Sequence, residues 1–237
     1  MIVADNFHPG TFVQALHFIA DNVDLLAGKA LEQIELSAAA LGLALAVALP
    51  LGIALGHFHR GSGLAIGASI VGRALPSLVL IAVFLTILGL GFANNMVALA
   101  VLASGPILTN AYDAIDGVDR DVVEAAHGMG MSGRQLLTRV ELPLGTPLIF
   151  TGIRVAAVTV VATAPIAAVA GGGGLGDIIV NQATYRLAGV VAASLCVMAL
   201  SAGVWVALVA LQRTVTPRGI RAARVHAVMG TNLKEGL

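Results

Sequence analysis

The sequence predicts an all-α membrane protein, a bundle of about five transmembrane helices. Three observations carry this. Of the 237 residues, 58% are hydrophobic and only 11% are charged, against roughly 25% charged in an average soluble domain. Mean hydropathy is +0.94. The apolar residues gather into stretches close to the roughly 20 residues that a helix needs to cross the hydrocarbon core. A chain of this composition cannot clothe a soluble surface, so most of it must face lipid or other apolar helices.

The five stretches are Ile34–Gly56, Leu64–Phe92, Met96–Tyr112, Leu148–Ala170 and Leu187–Leu211. All are rich in Ala, Gly, Val and Leu, and small residues let helix backbones approach closely in lipid. The third is short. The second is over-long and holds Pro76, which removes a backbone donor and predicts a kink or break. Upstream, Phe12, Leu16, Ile19, Val23 and Leu26 recur at steps of four and three, with Gln14, Asp21 and Asp24 opposite. That pattern predicts an amphipathic helix, either lying on the outer membrane surface or serving as a gate or docking element. The N-terminus lacks the basic and apolar regions of a signal peptide, so insertion is expected to rely on the internal apolar segments.

Basic residues set the orientation. With the C-terminal tail inside, the inner loops and tail hold nine (Arg60, Arg120, Arg134, Arg139, Arg213, Arg218, Arg221, Arg224 and Lys234) and the outer regions two, Lys29 and Arg186. The N-terminus is therefore expected outside and the C-terminus inside. The chain divides into an extracytoplasmic amphipathic segment (1–33), a transmembrane domain (34–211) and a basic cytoplasmic tail (212–237). Net charge is zero, which gives no basic signal for nucleic acid. Cys196 is the one cysteine, so it can form no internal disulfide and no cysteine-based metal site.

One long hydrophilic stretch, Asp113 to Pro147, falls on the inner side. Asp121 with Glu124, and Ser132 with Gln135, have the spacing of helix N-caps. Gly128 and Gly130 permit a bend between the two helices. Leu136, Leu137 and Val140 give the second helix an apolar face, and Pro143 is expected to stop it. The product is a helix–bend–helix with an apolar edge that a partner would cover.

Glu124-Ala125-Ala126, Gly130, Val140 and Leu142-Pro143 have the spacing of the EAA loop (residues 121–143) and resemble that loop of ABC importer permeases, with Val140 where Ile is usual. The resemblance extends from about Ile34 to Leu211. It includes Pro50-Leu51-Gly52, Leu75-Pro76-Ser77-Leu78, Gly105 through Asn110, Gly128-Met129-Gly130-Met131, Val140-Glu141-Leu142-Pro143, Gly152-Ile153-Arg154 and Gly172 through Gly176. This set is most similar to the quaternary-amine branch, which carries glycine betaine, choline, carnitine and related osmoprotectants. Gly105 and Thr109 depart from the Leu and Arg expected around Pro106-Ile107-Leu108-Asn110. Permeases for methionine, taurine and nitrate share the loop and the Gly-Gly-Leu-Gly run.

The resemblance implies a type I importer fold like that of methionine permeases, in the plasma (inner) membrane of a bacterium. It implies that the seven loop residues couple to a separate ATPase subunit, which would bind ATP and Mg. It also implies a second permease chain, identical or a paralogue, and an extracytoplasmic solute-binding protein. The runner-up class is a secondary transporter or channel working without ATP. An intramembrane enzyme ranks third, because no catalytic polar cluster stands out.

Gly171–Gly174 lacks the Lys-Ser/Thr of a phosphate loop and reads as a tight turn at the outer mouth. No Walker A pattern occurs, so no cofactor is assigned to this chain. Arg73, Pro76, Asn110, Gly173 and Gly174 are the candidates for the translocation path. Arg73 and Arg154 lie within apolar segments, where charge is costly. Arg154 reads as snorkelling or as half of an ion pair, although an arginine could also take a substrate carboxylate. His57 and His59 read as an interfacial loop, and His127 as part of the ATPase contact. Trp205, Tyr112 and Tyr185 fall in different segments. A cage of several aromatics for a quaternary ammonium is therefore expected on the binding protein.

Overall fold

The computed structural model of the chain describes residues 10–59, 63, 67 and 76–215. Arg60, Arg73 and the tail residues Arg218, Arg221, Arg224 and Lys234 lie outside the described residues. The helices in order are α1 (Gly10–Asp21), α2 (Val23–His57), α3 (Ser77–Leu88), α4 (Phe92–Asp116), α5 (Arg120–Gly128) and α6 (Gly133–Leu136). A π-helical turn (Leu137–Glu141) leads into α7 (Leu142–Thr163), which continues as a 3-10 helix (Ala164–Ala170). The chain closes with α8 (Gly176–Val180) and α9 (Gln182–Val215). The described residues contain no strand.

Four helical stretches are long and apolar enough to cross a membrane: Val23–His57, Phe92–Asp116, Gly133–Ala170 and Gln182–Val215. They carry the first, third, fourth and fifth predicted segments, each longer than its apolar run because polar residues extend the ends. Of the second segment, α3 is described. Its 12 residues cover about 18 Å. Pro76 stands in extended conformation immediately before it (φ −61°, ψ 130°), so the proline marks a helix boundary. Gly89 and Gly91, both at positive φ, turn the chain from α3 into α4.

The boundary drawn at residue 34 falls inside α2, which begins eleven residues earlier. Helix geometry overrides the hydropathy step because Lys29, Glu32 and Gln33 find partners on other elements, described below. Upstream, Asn22 (φ −127°, ψ 36°) separates α1 from α2, so the predicted stripe spans two helices. Phe12 and Leu16 face outward, whereas Thr11 and Ala15 are buried. The start of the stripe therefore points away from the bundle while small residues point in, and only its later part, Ile19, packs with Phe18 against Leu26, Leu175 and Ile178. Phe18 packs edge-on to Tyr185 at 6.4 Å, joining α1 to the start of α9. Near this contact the backbone of α9 breaks at Arg186 (φ 57°, ψ 178°).

The core is a three-helix contact of α2, α4 and α7. A Cβ on Gly52 would lie 2.6 Å from the Leu108 carbonyl oxygen, and one on Gly56 2.8 Å from that of Tyr112. On the other side of α4, a Cβ on Gly145 would meet the Ala114 carbonyl oxygen at 2.7 Å, and one on Gly152 would meet Asn110 Cβ at 2.6 Å. Pro50-Leu51-Gly52, Gly105 through Asn110 and Gly152-Ile153-Arg154 are thus the places where backbones touch. Ala40, Ala44 and Ala48 of α2 and Ala98 and Ala103 of α4 fill the same seam. Several hydroxyls within the spans bond their own helices: Ser104 donates to the Val101 carbonyl and Thr109 to the Gly105 carbonyl. This leaves them satisfied where water is absent.

Gly42 and Gly56 both lie on α2, but a Cβ on Gly42 would meet nothing within 4 Å. Gly56→Ala is expected to destabilise the detergent-solubilised protein by about 1–3 kcal/mol, the cost of overpacking. Gly42→Ala should be neutral or gain up to about 1 kcal/mol from helix propensity. Thermal aggregation midpoints of the two variants check this.

Candidate functional site

The hydrophilic loop forms the predicted helix–bend–helix, with two changes. The N-cap of α5 is Asp119 rather than Asp121: the Asp119 carboxylate accepts from the Asp121 N–H at 2.9 Å. An Asp two residues further back was available, and a cap belongs where the helix starts. The bend is at Gly130, whose φ of +80° is a conformation that side chains with a Cβ resist. Ser132 caps α6 as expected, in a reciprocal capping box with Gln135.

Pro143 does not stop the second helix. It occupies the first turn of α7, where a missing N–H costs nothing. The turn before it widens into a π-helix, in which the Leu142 N–H reaches the Leu137 carbonyl. One wide turn thus passes the proline without breaking the rod, and Gly133–Ala170 is one 38-residue helical stretch.

The seven predicted coupling residues divide in two. Glu124, Ala125 and Gly130 are exposed, as are Val122, His127 and Met129 beside them. Ala126 is buried; its carbonyl receives the Met131 N–H and ties the bend back on α5. Val140, Leu142 and Pro143 are partly covered at the base. The loop therefore has an open edge of mixed apolar and acidic character and a fixed root.

The root is held by a residue that sequence reasoning passed over. Glu141 is 1% exposed, and its Oε2 lies 2.6 Å from His57 Nδ1 at the C-terminal end of α2. His57 Nε2 would touch a Cβ placed on Gly133 at 3.5 Å, so the imidazole sits against both ends of the α6–π segment. His59 Nδ1 pairs with Asp116 Oδ1 at 2.7 Å. Two histidines read as an interfacial loop thus pin α2 to the loop root and to the end of α4. No local spacing could reveal the first pair, because 84 residues separate its members.

At the opposite end, Gly173 and Gly174 form a turn around Glu32. The Gly174 N–H donates to Glu32 Oε2 at 2.8 Å, and a Cβ on Gly173 would lie 2.8 Å from the same oxygen. Lys29 Nζ bridges Glu32 at 2.9 Å and Asp177 at 2.7 Å. Gln33 Nε2 donates to the Val161 carbonyl at 2.9 Å. The glycine run is therefore a seat for a carboxylate of its own chain, which agrees with rejecting it as a phosphate loop. Beside it, Gly91 N–H and Asn95 Nδ2 both reach the Ala170 carbonyl, at 3.1 and 3.2 Å.

The candidate path residues are not gathered into one place. Gly173 and Gly174 surround Glu32, and Pro76 is exposed at the start of α3. Asn110 turns its amide to the Pro106 carbonyl of its own helix at 2.8 Å and packs on Gly152. Arg73 lies outside the described residues. Arg154 has no carboxylate within ion-pair distance among the described residues. Its Nη2 donates to Thr151 Oγ1 at 3.2 Å.

Residues 48–218 match the family described as binding-protein-dependent transport system inner membrane component. The chain is 34% identical over 212 residues to the glycine betaine/carnitine/choline transport system permease protein OpuCB of Bacillus subtilis, covering 89% of this chain and 98% of that protein. It is 34% identical to the choline transport system permease protein OpuBB of the same organism, covering 87% of this chain and 95% of the relative. It is 31% identical to the osmoprotectant import permease protein OsmW of Salmonella typhimurium, covering 88% and 100%. Among solved structures, a chain of the inward-facing MetNI methionine ABC transporter superposes with a TM-score of 0.71 at 21% identity, covering 82% of this chain and 98% of that one. That likeness is one of fold.

The His57–Glu141 contact is expected to show coupling in a double-mutant cycle of His57→Ala and Glu141→Ala. The interaction energy should fall within about 0.5–3 kcal/mol, and each single variant should leave its partner unsatisfied. Thermal unfolding of the four proteins in detergent measures it; strict additivity would remove the pair from the account.

Proposed function

The chain belongs to the family of binding-protein-dependent transport system inner membrane components and is the permease subunit of an ABC importer; from that premise we propose that its cargo is a quaternary-amine osmoprotectant such as glycine betaine, choline or carnitine. The relatives that carry these names match nearly the whole chain, which supports this cargo over methionine, taurine or nitrate. As a multi-pass protein of the bacterial inner membrane it forms the path; a separate ATPase supplies the energy and a solute-binding protein delivers the cargo.

We propose further that Glu124, Ala125, Ala126 and Gly130, with Val140, Leu142 and Pro143 at the root, are the ATPase-coupling residues. The observation that carries this is the open edge of α5 and the Gly130 bend set on a root fixed to α2 by His57 and Glu141. A push on that edge has a stiff route into the membrane helices. When the ATPases bind ATP and Mg and close, their differential affinity for the two loop positions would shift the bundle between inward-open and outward-open states. Two such loops are needed, one from each of two permease chains.

The orientation that fits is N-terminus outside and C-terminus in the cytoplasm. The contacts fit termini on opposite sides, and the excess of basic residues in the loops and tail taken as inner supplies the direction. His57, Asp116 and Glu141 meet at one end, and Glu32, Gly91, Ala170 and Gly174 meet at the other. α2 and α4 run from the second end to the first, α7 returns, and α9 crosses again.

Glu124→Ala combined with Gly130→Asp is expected to abolish ATP-dependent uptake while the chain still inserts and α2 to α9 still fold. Asp at φ +80° also strains the bend. Uptake of labelled glycine betaine into proteoliposomes checks it, with co-purification of the ATPase subunit as the second readout. Full uptake by the double variant would sink the coupling assignment.

A further inference from the structure

α7 and α9 enclose a groove of about 420 Å³ lined by Thr151, Arg154, Val155, Val158, Thr159 and Trp205. Its volume is in the range of about 300–1,000 Å³ typical of small-molecule sites. We propose that this groove is a transient binding site for a zwitterion with a quaternary ammonium and a carboxylate. The Arg154 guanidinium and the threonine hydroxyls would take the carboxylate, and the Trp205 ring face the ammonium. The proposal rests on the cargo reading above and names the residues that would meet that cargo inside the permease.

Three observations carry it. Arg154 Nε is buried and has no hydrogen-bond partner among the described residues. Of the five N–H donors of a guanidinium, the one contact found is Nη2 to Thr151. A cation at membrane depth with no counter-charge is costly and calls for an anion, and a planar fork of donors matches a carboxylate. Arg154 lies six residues into the apolar run Leu148–Ala170, about 9 Å along the helix from its start, and its side chain lines the groove.

Second, the same groove carries the one tryptophan of the chain, and Trp205 is 51% exposed. Indole is the best ring for a cation–π contact. Val155 and Val158 complete a wall on which methyl groups of an ammonium lose nothing. Third, the two charges of such a zwitterion need different surroundings, and this groove supplies both: donors on α7 and an indole on α9. A single aromatic cannot make a cage. That suits a site which must accept solute from a tighter binder and then let it go.

The test uses the assembled transporter, with ATPase and binding protein, in proteoliposomes at saturating solute. Choline carries the ammonium without the carboxylate, so it separates the two halves of the site. Arg154→Gln should lower glycine betaine uptake about tenfold and leave choline uptake within about twofold. Trp205→Ala should lower both, and Trp205→Phe should recover most of both. Arg154→Lys, which keeps the charge but loses the fork, should fall between wild type and Arg154→Gln for betaine. Recovery of the ATPase subunit with each variant establishes that it assembles. Equal losses of betaine and choline in Arg154→Gln, or no loss in any variant, overturn the site while the cargo reading stands. A wild-type transporter that moves neither solute overturns the cargo reading and the site with it. A phospholipid that co-purifies with wild type and is lost in Arg154→Gln at unchanged betaine uptake makes the groove a lipid site and also overturns the proposal.

Discussion

Everything in this fold depends on how closely α2, α4 and α7 can approach. Lipid tails are as apolar as the helices, so no hydrophobic force draws the helices together once they are inserted. What remains is contact between backbones, and a contact works only at short range. Gly52, Gly56, Gly145 and Gly152 allow it by removing side chains where the Leu108, Tyr112, Ala114 and Asn110 backbones or stems pass. The alanine seam of α2 and α4 continues the same solution along the helices.

On that core, α2 is fastened at both ends by polar contacts. Glu32 and Lys29 hold the Gly173–Gly174 turn and Asp177; His57 and His59 hold Glu141 and Asp116. A polar contact at the edge of the hydrocarbon is stronger than one in water, and removing one partner strands the other. One rod of 35 residues therefore joins the glycine turn to the root of the hydrophilic loop. α9 is different. Its buried residues are Gly189, Ala192 and Ala193 alone, so its position depends on the α1 and α8 contacts near its start and on the α7 groove further along.

The legible part of the structure was the part written in local pattern. Hydropathy located the long helices because every span must be apolar. The capping box at Ser132 and the positive-φ bend at Gly130 were readable because their residues are neighbours in sequence. The helix–bend–helix of the hydrophilic loop was legible from its caps and glycines. Long-range pairs were not. Glu141 looks like any acidic residue of a hydrophilic loop, and its burial follows only once His57 is brought to it. Helix ends were misjudged for a related reason. By hydropathy Lys29 and Glu32 fall in the amphipathic segment before the first span, yet α2 keeps them because each has a partner on α8 or the glycine turn. The same limit hid the groove at Arg154, since Trp205 approaches it from another helix.

The π-helical turn at Leu137–Glu141 has a consequence for anyone who would exchange this loop between related permeases. A π turn holds about one residue more than an α turn, so α6 is out of phase with α7 by about 100° of rotation, the angle of one residue at 3.6 per turn. The face that α6 presents cannot be found by extending the periodicity of α7 backwards. A graft spliced between Leu136 and Leu142 that omits or adds a residue would swing the exposed edge of the loop to a different side of the rod while every individual side chain remained correct. The five residues of the wide turn are thus best treated as part of the loop's address and carried with it as a unit.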